Sequence, residues 1–154
     1  KESKLKNQKG VKKMKKVFLL FISLLIITAC SKKDVKFEAF SAEAFAYDIG
    51  DGTAEVNATV RVKGFTQTEK DDNYNAAVAY DVDLLKPDST IRKSIFKFVQ
   101  KADNGEPISD IALETQFTLD STYQAGTYTL VYKIADKNSD NTLASKVNFD
   151  LTWE

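Results

Sequence analysis

Residues 36–154 read as an all-β domain, an antiparallel sandwich of about seven strands. Three observations predict it. Apolar and polar side chains alternate through most of the segment, the period of two that marks a half-buried strand. Clusters of Gly, Pro, Asn, Asp and Ser interrupt the alternation every roughly 8–20 residues, as turns between strands do. No stretch holds the three-to-four spacing of an amphipathic helix over a useful length.

The elements follow in order. Phe45, Tyr47 and Ile49 mark a first strand reaching back toward Val35, and the alanine-rich residues 41–46 suggest a short helical turn. In Thr53–Lys63, Ala54, Val56, Ala58, Val60 and Val62 point one way while Glu55, Asn57, Thr59 and Arg61 point the other. Residues 64–73 are polar and read as a crossover or exposed loop. Ala76, Val78, Tyr80, Val82 and Leu84 define the next strand, with Asp81 and Asp83 toward solvent. Ile95, Phe96, Phe98 and Val99 break the alternation, which predicts a strand that is bulged or crosses between sheets. Ile111, Leu113, Thr115, Phe117 and Leu119 form another strand. Tyr128, Leu130, Tyr132 and Ile134 form the penultimate one, and Leu143, Val147, Phe149, Leu151 and Trp153 the last. Gly50-Asp51-Gly52, Lys86-Pro87-Asp88-Ser89, Asp103-Asn104-Gly105 and residues 136–141 supply turns between them.

Ala125-Gly126-Thr127-Tyr128-Thr129-Leu130 resembles the A-G-x-Y-x-C stretch that opens the penultimate strand of immunoglobulin-like domains. The resemblance implies an immunoglobulin-like or fibronectin-like sandwich. Tyr128 would make the corner hydrogen bond, and Leu130 stands where the disulfide cysteine would be.

Ahead of this domain the chain changes character. Lys12, Lys13, Lys15 and Lys16 precede an apolar run over residues 17–27 that ends at Ala29-Cys30 and turns basic at Lys32 and Lys33. Basic, apolar and small residues in that sequence are the layout of a secretory signal, and the run is too short to span a bilayer comfortably. Met14 then marks the expected start of translation, with residues 1–13 an upstream extension and residues 14–29 the signal peptide. Ile27-Thr28-Ala29-Cys30 resembles a bacterial lipobox. The resemblance implies cleavage between Ala29 and Cys30 and a diacylglycerol thioether on Cys30, with residues 30–35 a short tether. Two or more acyl chains anchor stably where one does not. Ser31 after the modified residue, again by resemblance to lipoprotein sorting, implies the outer membrane; periplasmic and surface-facing orientations both fit.

Composition narrows the chemistry. Cys30 is the single cysteine, so an intrachain disulfide is impossible, and the chain has no histidine, so neither a Ser-His-Asp relay nor a histidine metal site can be built. Although the whole chain is neutral, eight of 22 Lys and Arg precede Cys30, leaving 14 against 21 Asp and Glu, a net of −7. That sign offers no steering toward nucleic acid. No cofactor or metal is expected. Oxygen side chains at Asp136, Asn138 and Asp140 mimic the start of a calcium loop, but Asn141 stands where glycine is needed and Val147 where the bidentate glutamate is needed, so a hairpin turn explains them. Glu69, Asp71 and Asp72 read as a solvated charge run in a loop, and Asp48 and Asp51, beside Gly50 and Gly52, as a turn.

The expected role is therefore non-catalytic. The chain reads as a membrane-anchored interaction or structural module of the bacterial envelope, held by lipid on Cys30 and partnered by another envelope protein. A small-ligand or glycan-binding lipoprotein using exposed aromatics Phe65, Phe96 and Phe98 is the alternative, and a periplasmic hydrolase inhibitor a lesser one. Glycan binding predicts aromatics sharing a groove; protein binding predicts a flatter patch or an unpaired strand edge.

Overall fold

A computed structural model describes residues 35–153, and the expected signal peptide, Ala29 and Cys30 lie outside the described residues. Eight strands are formed within them: β1 (Glu38–Gly50), β2 (Thr53–Lys63), β3 (Thr68–Lys70), β4 (Asn73–Leu85), β5 (Ile91–Asn104), β6 (Asp110–Asp120), β7 (Gly126–Asp136) and β8 (Thr142–Leu151). They build two antiparallel sheets. The first has the order β1-β2-β6; in the second, β4 pairs β5 on one edge and β7 on the other, and β8 follows β7. The alternating side chains predicted on β2 and β4 are buried as one set, and with Leu113, Leu119, Tyr128, Leu130, Tyr132 and Ile134 they form a single apolar core drawn from both sheets. Each fully buried aliphatic side chain contributes about 1.5–3 kcal/mol relative to exposure.

The expected count of about seven rises to eight because β3 forms inside the presumed loop. Its turn to β4 is Asp71-Asp72, both at positive φ (52° and 60°), the backbone of a two-residue hairpin whose twist matches the strands. Those two acidic residues thus make a turn. Asp51-Gly52 closes the β1–β2 hairpin in the same way.

The start of the domain departs from expectation. Residues 41–46 are strand, not a helical turn. A bulge between Phe40 and Glu43, with Ser41 at φ 47°, resets the alternation. Beyond it Ala42, Ala44 and Ala46 pack on the core, while Phe45, Tyr47 and Ile49 point outward. The small methyls suit the place where β1 runs alongside β8.

Phe65 is a second correction, since it was expected at the surface and lies in the core at 6% exposure. Gly64 explains it. At φ +72° it turns the chain against the backbone of Lys36, where an added Cβ would stand 2.2 Å from the carbonyl oxygen, and the next side chain swings inward.

Candidate functional site

The features that could meet a partner converge on β5. One edge of β5 pairs β4 from Ile91–Leu85 to Asn104–Tyr74; its other edge pairs no strand among the described residues. Free N–H and C=O groups along such an edge are a template for a further strand. The register puts Phe96 opposite Val82 and Phe98 opposite Tyr80, both on the core side of the sheet, and Lys97 opposite Asp81 and Val99 opposite Ala79 on the outer side.

An aromatic row crosses the inner face. Tyr132 on β7 stacks on Tyr80 at 6.1 Å, and Tyr80 meets Phe96 at 5.8 Å and Phe98 at 6.3 Å. Burial falls along it. Tyr132 and Tyr80 are inside, and Tyr80 donates its hydroxyl to the Glu114 carbonyl of β6, tying the two sheets together. Burial pushes the Tyr80 phenol up to about 12, with Tyr132 and Glu114 adding to the shift, so it stays a donor at any physiological pH. Phe96 is half-buried, whereas Phe98 is 52% and Val99 42% exposed. Of the three aromatics expected to meet a ligand, the structure keeps Phe96 and Phe98 together and places Phe65 elsewhere.

The break in alternation at Ile95, Phe96, Phe98 and Val99 has the expected bulge behind it. Between the Val82–Phe96 and Leu84–Arg92 pairs, three β5 residues face Asp83 alone, and Ser94 adopts φ 54°. The bulge is pinned from β4: Ser94 N–H donates to Asp83 Oδ1 at 2.8 Å, and Ser94 Oγ to Asp81 Oδ2 at 3.0 Å. This corrects the solvent-facing placement of Asp83. It points to the outer face, but Lys133 at 2.7 Å and Ser94 cover it to 7% exposure. Burial alone would raise the Asp83 carboxyl; hydrogen bonds from Lys133 and Ser94 and the charges of Lys133 and Lys93 outweigh it and hold the group below its ordinary range.

On the outer face, Ala79 and Ala135 floor a shallow trough of about 570 Å³ bordered by Val99, Lys97, Lys133 and Asp81. Lys97 lies 3.1 Å from Asp81. Lys93 and Lys101 have no ion-pair partner among the described residues. The sequence signal for this edge was present and unread: lysines at 93, 97 and 101 recur on one strand, and lysine on an apolar strand is how edges are kept from random pairing.

Other candidates resolve into architecture. Asp136 is buried and accepts from Thr66 N–H, Asn138 N–H and Ser139 Oγ, so the calcium-like segment is a braced hairpin turn. Among the described residues no group of three or more His, Cys, Asp or Glu side chains could hold a metal ion. Nor does any helix there have the length and apolarity to cross a membrane. Phe45 and Tyr47, unforeseen as surface groups, form a near-parallel pair 6.3 Å apart on the outer face of the first sheet. Beside them Glu55 accepts from the Tyr47 hydroxyl and from Asn57 Nδ2.

No family model matches the chain, and no curated protein matches it. Solved structures give distant likenesses. A protein named ApaA from Bordetella pertussis is 11% identical over 75% of this chain and 93% of its own, at TM-score 0.41. A protein from Archaeoglobus fulgidus is 12% identical over 77% of this chain and 98% of its own, at TM-score 0.33. A GH3 beta-glucosidase from Bifidobacterium adolescentis is 18% identical over 74% of this chain and 17% of its own, at TM-score 0.33.

Proposed function

We propose that the chain is a lipid-anchored protein of the bacterial outer membrane that acts without catalysis, by docking another envelope protein along β5. The observation that carries the docking role is the unpaired edge of β5, fourteen residues long with Phe98 and Val99 exposed beside it. The lysines and the Ser94 bulge guard this edge against indiscriminate pairing, and a long uncovered edge can accept a chosen strand, with backbone hydrogen bonds giving affinity and alternate side chains selectivity. The anchor rests on the lipobox resemblance at Cys30.

The finer fold reading belongs with this proposal. An immunoglobulin-like or fibronectin-like sandwich is supported by Tyr128, which is buried and donates its hydroxyl to the Gln124 carbonyl at 2.8 Å, as a tyrosine corner does. Strand order supports it too: β1-β2-β6 fall in the places of A-B-E and β4-β7-β8 in those of C-F-G, with β5 paired to β4 instead of to β6.

Two experiments test the proposal. Cys30→Ser should abolish palmitate incorporation and release the protein from the membrane fraction; undiminished labelling would remove the anchor from the account. A photo-crosslinking residue at Val99 should capture one discrete envelope protein in cells, while the same residue at Lys146 on β8 should not. Equal capture from both positions defeats docking at β5.

Glycan binding is the second reading, favoured by the Phe45–Tyr47 pair beside Glu55 and Asn57 and not by the residues expected from sequence. Flat aromatic area next to fixed polar groups suits a sugar ring. A glycan array on which wild type and Phe45→Ala give the same blank result disposes of it.

A further inference from the structure

The proposed docking edge carries charge that specifies what can lie on it. Ile91–Asn104 holds four cations, Arg92, Lys93, Lys97 and Lys101, against the single anion Asp103, in a chain whose part after Cys30 is net negative. Arg92 is engaged by the Tyr123 hydroxyl and Lys97 by Asp81. Neither Lys93 nor Lys101 forms a salt bridge among the described residues, although the charge of Lys93 acts on Asp83. The strand is therefore a basic, two-faced ribbon, with aromatic side chains at 96 and 98 on one face and lysines at 97 and 101 on the other.

What such a ribbon accepts is visible on its paired edge. There β4 runs Tyr80-Asp81-Val82-Asp83-Leu84, and its apolar members meet Phe98 and Phe96 while Asp81 meets Lys97. Directly opposed side chains are the unit of sheet stabilisation, and opposite charges or aromatic–aliphatic pairs favour a register where like charges oppose it. The free edge repeats the same two faces with the same period.

Resting on the reading of β5 as a docking edge, we infer that its occupant is an extended segment of a partner protein in which acidic and apolar residues alternate. The acidic side chains lie opposite the lysines and the apolar ones opposite Phe96 and Phe98. A second copy of this chain paired about Lys97 is disfavoured. Antiparallel pairing of two β5 strands centred on Lys97 uses nearly the whole strand, and it sets Lys97 on Lys97 and Lys93 on Lys101.

The full-length chain is titrated with three fluorescent peptides of about ten residues, a common strand length. One alternates Glu and Val; the second replaces every Glu by Lys; the third is the Glu–Val peptide N-methylated at two adjacent central residues, which removes an N–H from each of its edges. The Glu–Val peptide should bind, weakening as salt screens the pairs. Both other peptides should bind about tenfold more weakly or less. The Lys93→Glu/Lys101→Glu variant, checked for an unchanged unfolding midpoint, should lose affinity for the Glu–Val peptide and gain it for the Lys–Val peptide. If wild type binds the Lys–Val peptide as well as the Glu–Val one, or binds neither, the acidic preference is overturned, while the cross-linking result at Val99 still decides the docking edge. Equal binding of the N-methylated peptide means that strand addition is not the mode, which overturns the inference and the edge reading together.

Discussion

Asp136 Oδ2 accepts a hydrogen bond from the backbone N–H of Thr66 at 2.8 Å, joining points seventy residues apart in the chain. Asp136 ends β7, and Thr66 lies where the chain leaves β2 for β3, so one carboxylate holds a hairpin turn and a crossover together. The same group takes Ser139 Oγ at 2.7 Å and Asn138 N–H at 2.9 Å. Replacing Asp136 by Ala leaves these donors without an acceptor at a site that water reaches poorly. The expected loss is about 2–3 kcal/mol, since hydrogen bonds to a charged group are among the stronger ones. Urea unfolding of Asp136→Ala measures it, and an unchanged midpoint would mean that the clamp contributes nothing.

The charge on that clamp makes stability depend on pH. Burial opposes ionisation of Asp136, but the hydrogen bonds from Ser139, Thr66 and Asn138 outweigh it and hold the carboxyl below its usual value of 3.8. The unfolded chain thus binds the proton more readily than the folded one. The stabilisation is complete above the unfolded value and disappears as pH falls through the lower folded one. Asp83 adds to the trend in the same direction. Melting temperatures followed from neutral pH down to about pH 3 should fall less steeply for Asp136→Asn than for wild type. Parallel curves would assign the acid sensitivity to other groups.

Gly64 and Gly50 both have positive φ, yet they should respond differently to alanine. At Gly50, φ +92°, a Cβ meets nothing within 4 Å, so Gly50→Ala costs only backbone strain, about 1–2 kcal/mol. At Gly64 the Cβ would also run into the Lys36 carbonyl, and because the obstacle is backbone the segment leading into β1 must shift. Gly64→Ala should cost about 2–4 kcal/mol. Equal unfolding midpoints for the two variants would show that the close approach is relieved at no cost.

The strands that were legible in the sequence are those whose alternation pits large against charged side chains. On β2, Val56, Val60 and Val62 alternate with Glu55 and Arg61, and on β4, Val78 and Val82 alternate with Ala77 and Asp81; both phases came out as the pattern implies. On β1 the competing sets were three alanines and the larger Phe45, Tyr47 and Ile49, and size pointed to the wrong one. A bulge at Ser41 and the neighbouring β8 fix that phase, and neither is visible in a local pattern. Phe65 was misplaced for a similar reason, because Gly64 reverses the direction of its side chain. The β5 bulge was foreseen from Ile95 and Phe96, but its position at an edge depends on which strands meet across the molecule. Pairings between distant segments set that, and so they set which lysines stay uncovered.

Tyr128 carries the one side-chain bond that the sequence did foretell. Its hydroxyl donates to the Gln124 carbonyl at 2.8 Å from a ring stacked on Phe149 at 5.4 Å, with about 1% of the residue exposed. Tyr128→Phe keeps the stacking and leaves a carbonyl short of its donor. A loss of about 1–2 kcal/mol is expected, the worth of a buried hydrogen bond whose partner is stranded. No loss in chemical unfolding would reduce the residue to ring packing.

The same substitution four residues further on should have the opposite outcome. Tyr132 is fully buried, and its hydroxyl lies close to Thr115 Oγ1, 2% exposed on β6, yet neither oxygen makes a hydrogen bond of good geometry. A buried hydroxyl without a partner carries a desolvation cost that nothing offsets, so deleting the oxygen removes a penalty and no bond. Tyr132→Phe preserves the ring and its contact with Tyr80, which is made by the faces and not by the hydroxyl. It should therefore be neutral or stabilising by about 1 kcal/mol, and Thr115→Val, which exchanges the hydroxyl for a methyl, should behave likewise. The double variant separates two explanations. If the groups are independently unpaired, the effects add; if they bond to each other in solution, each single variant costs stability and the second substitution restores it. Destabilisation by more than about 1 kcal/mol in both single variants would mean that the core holds a hydrogen bond where the geometry shows two orphans.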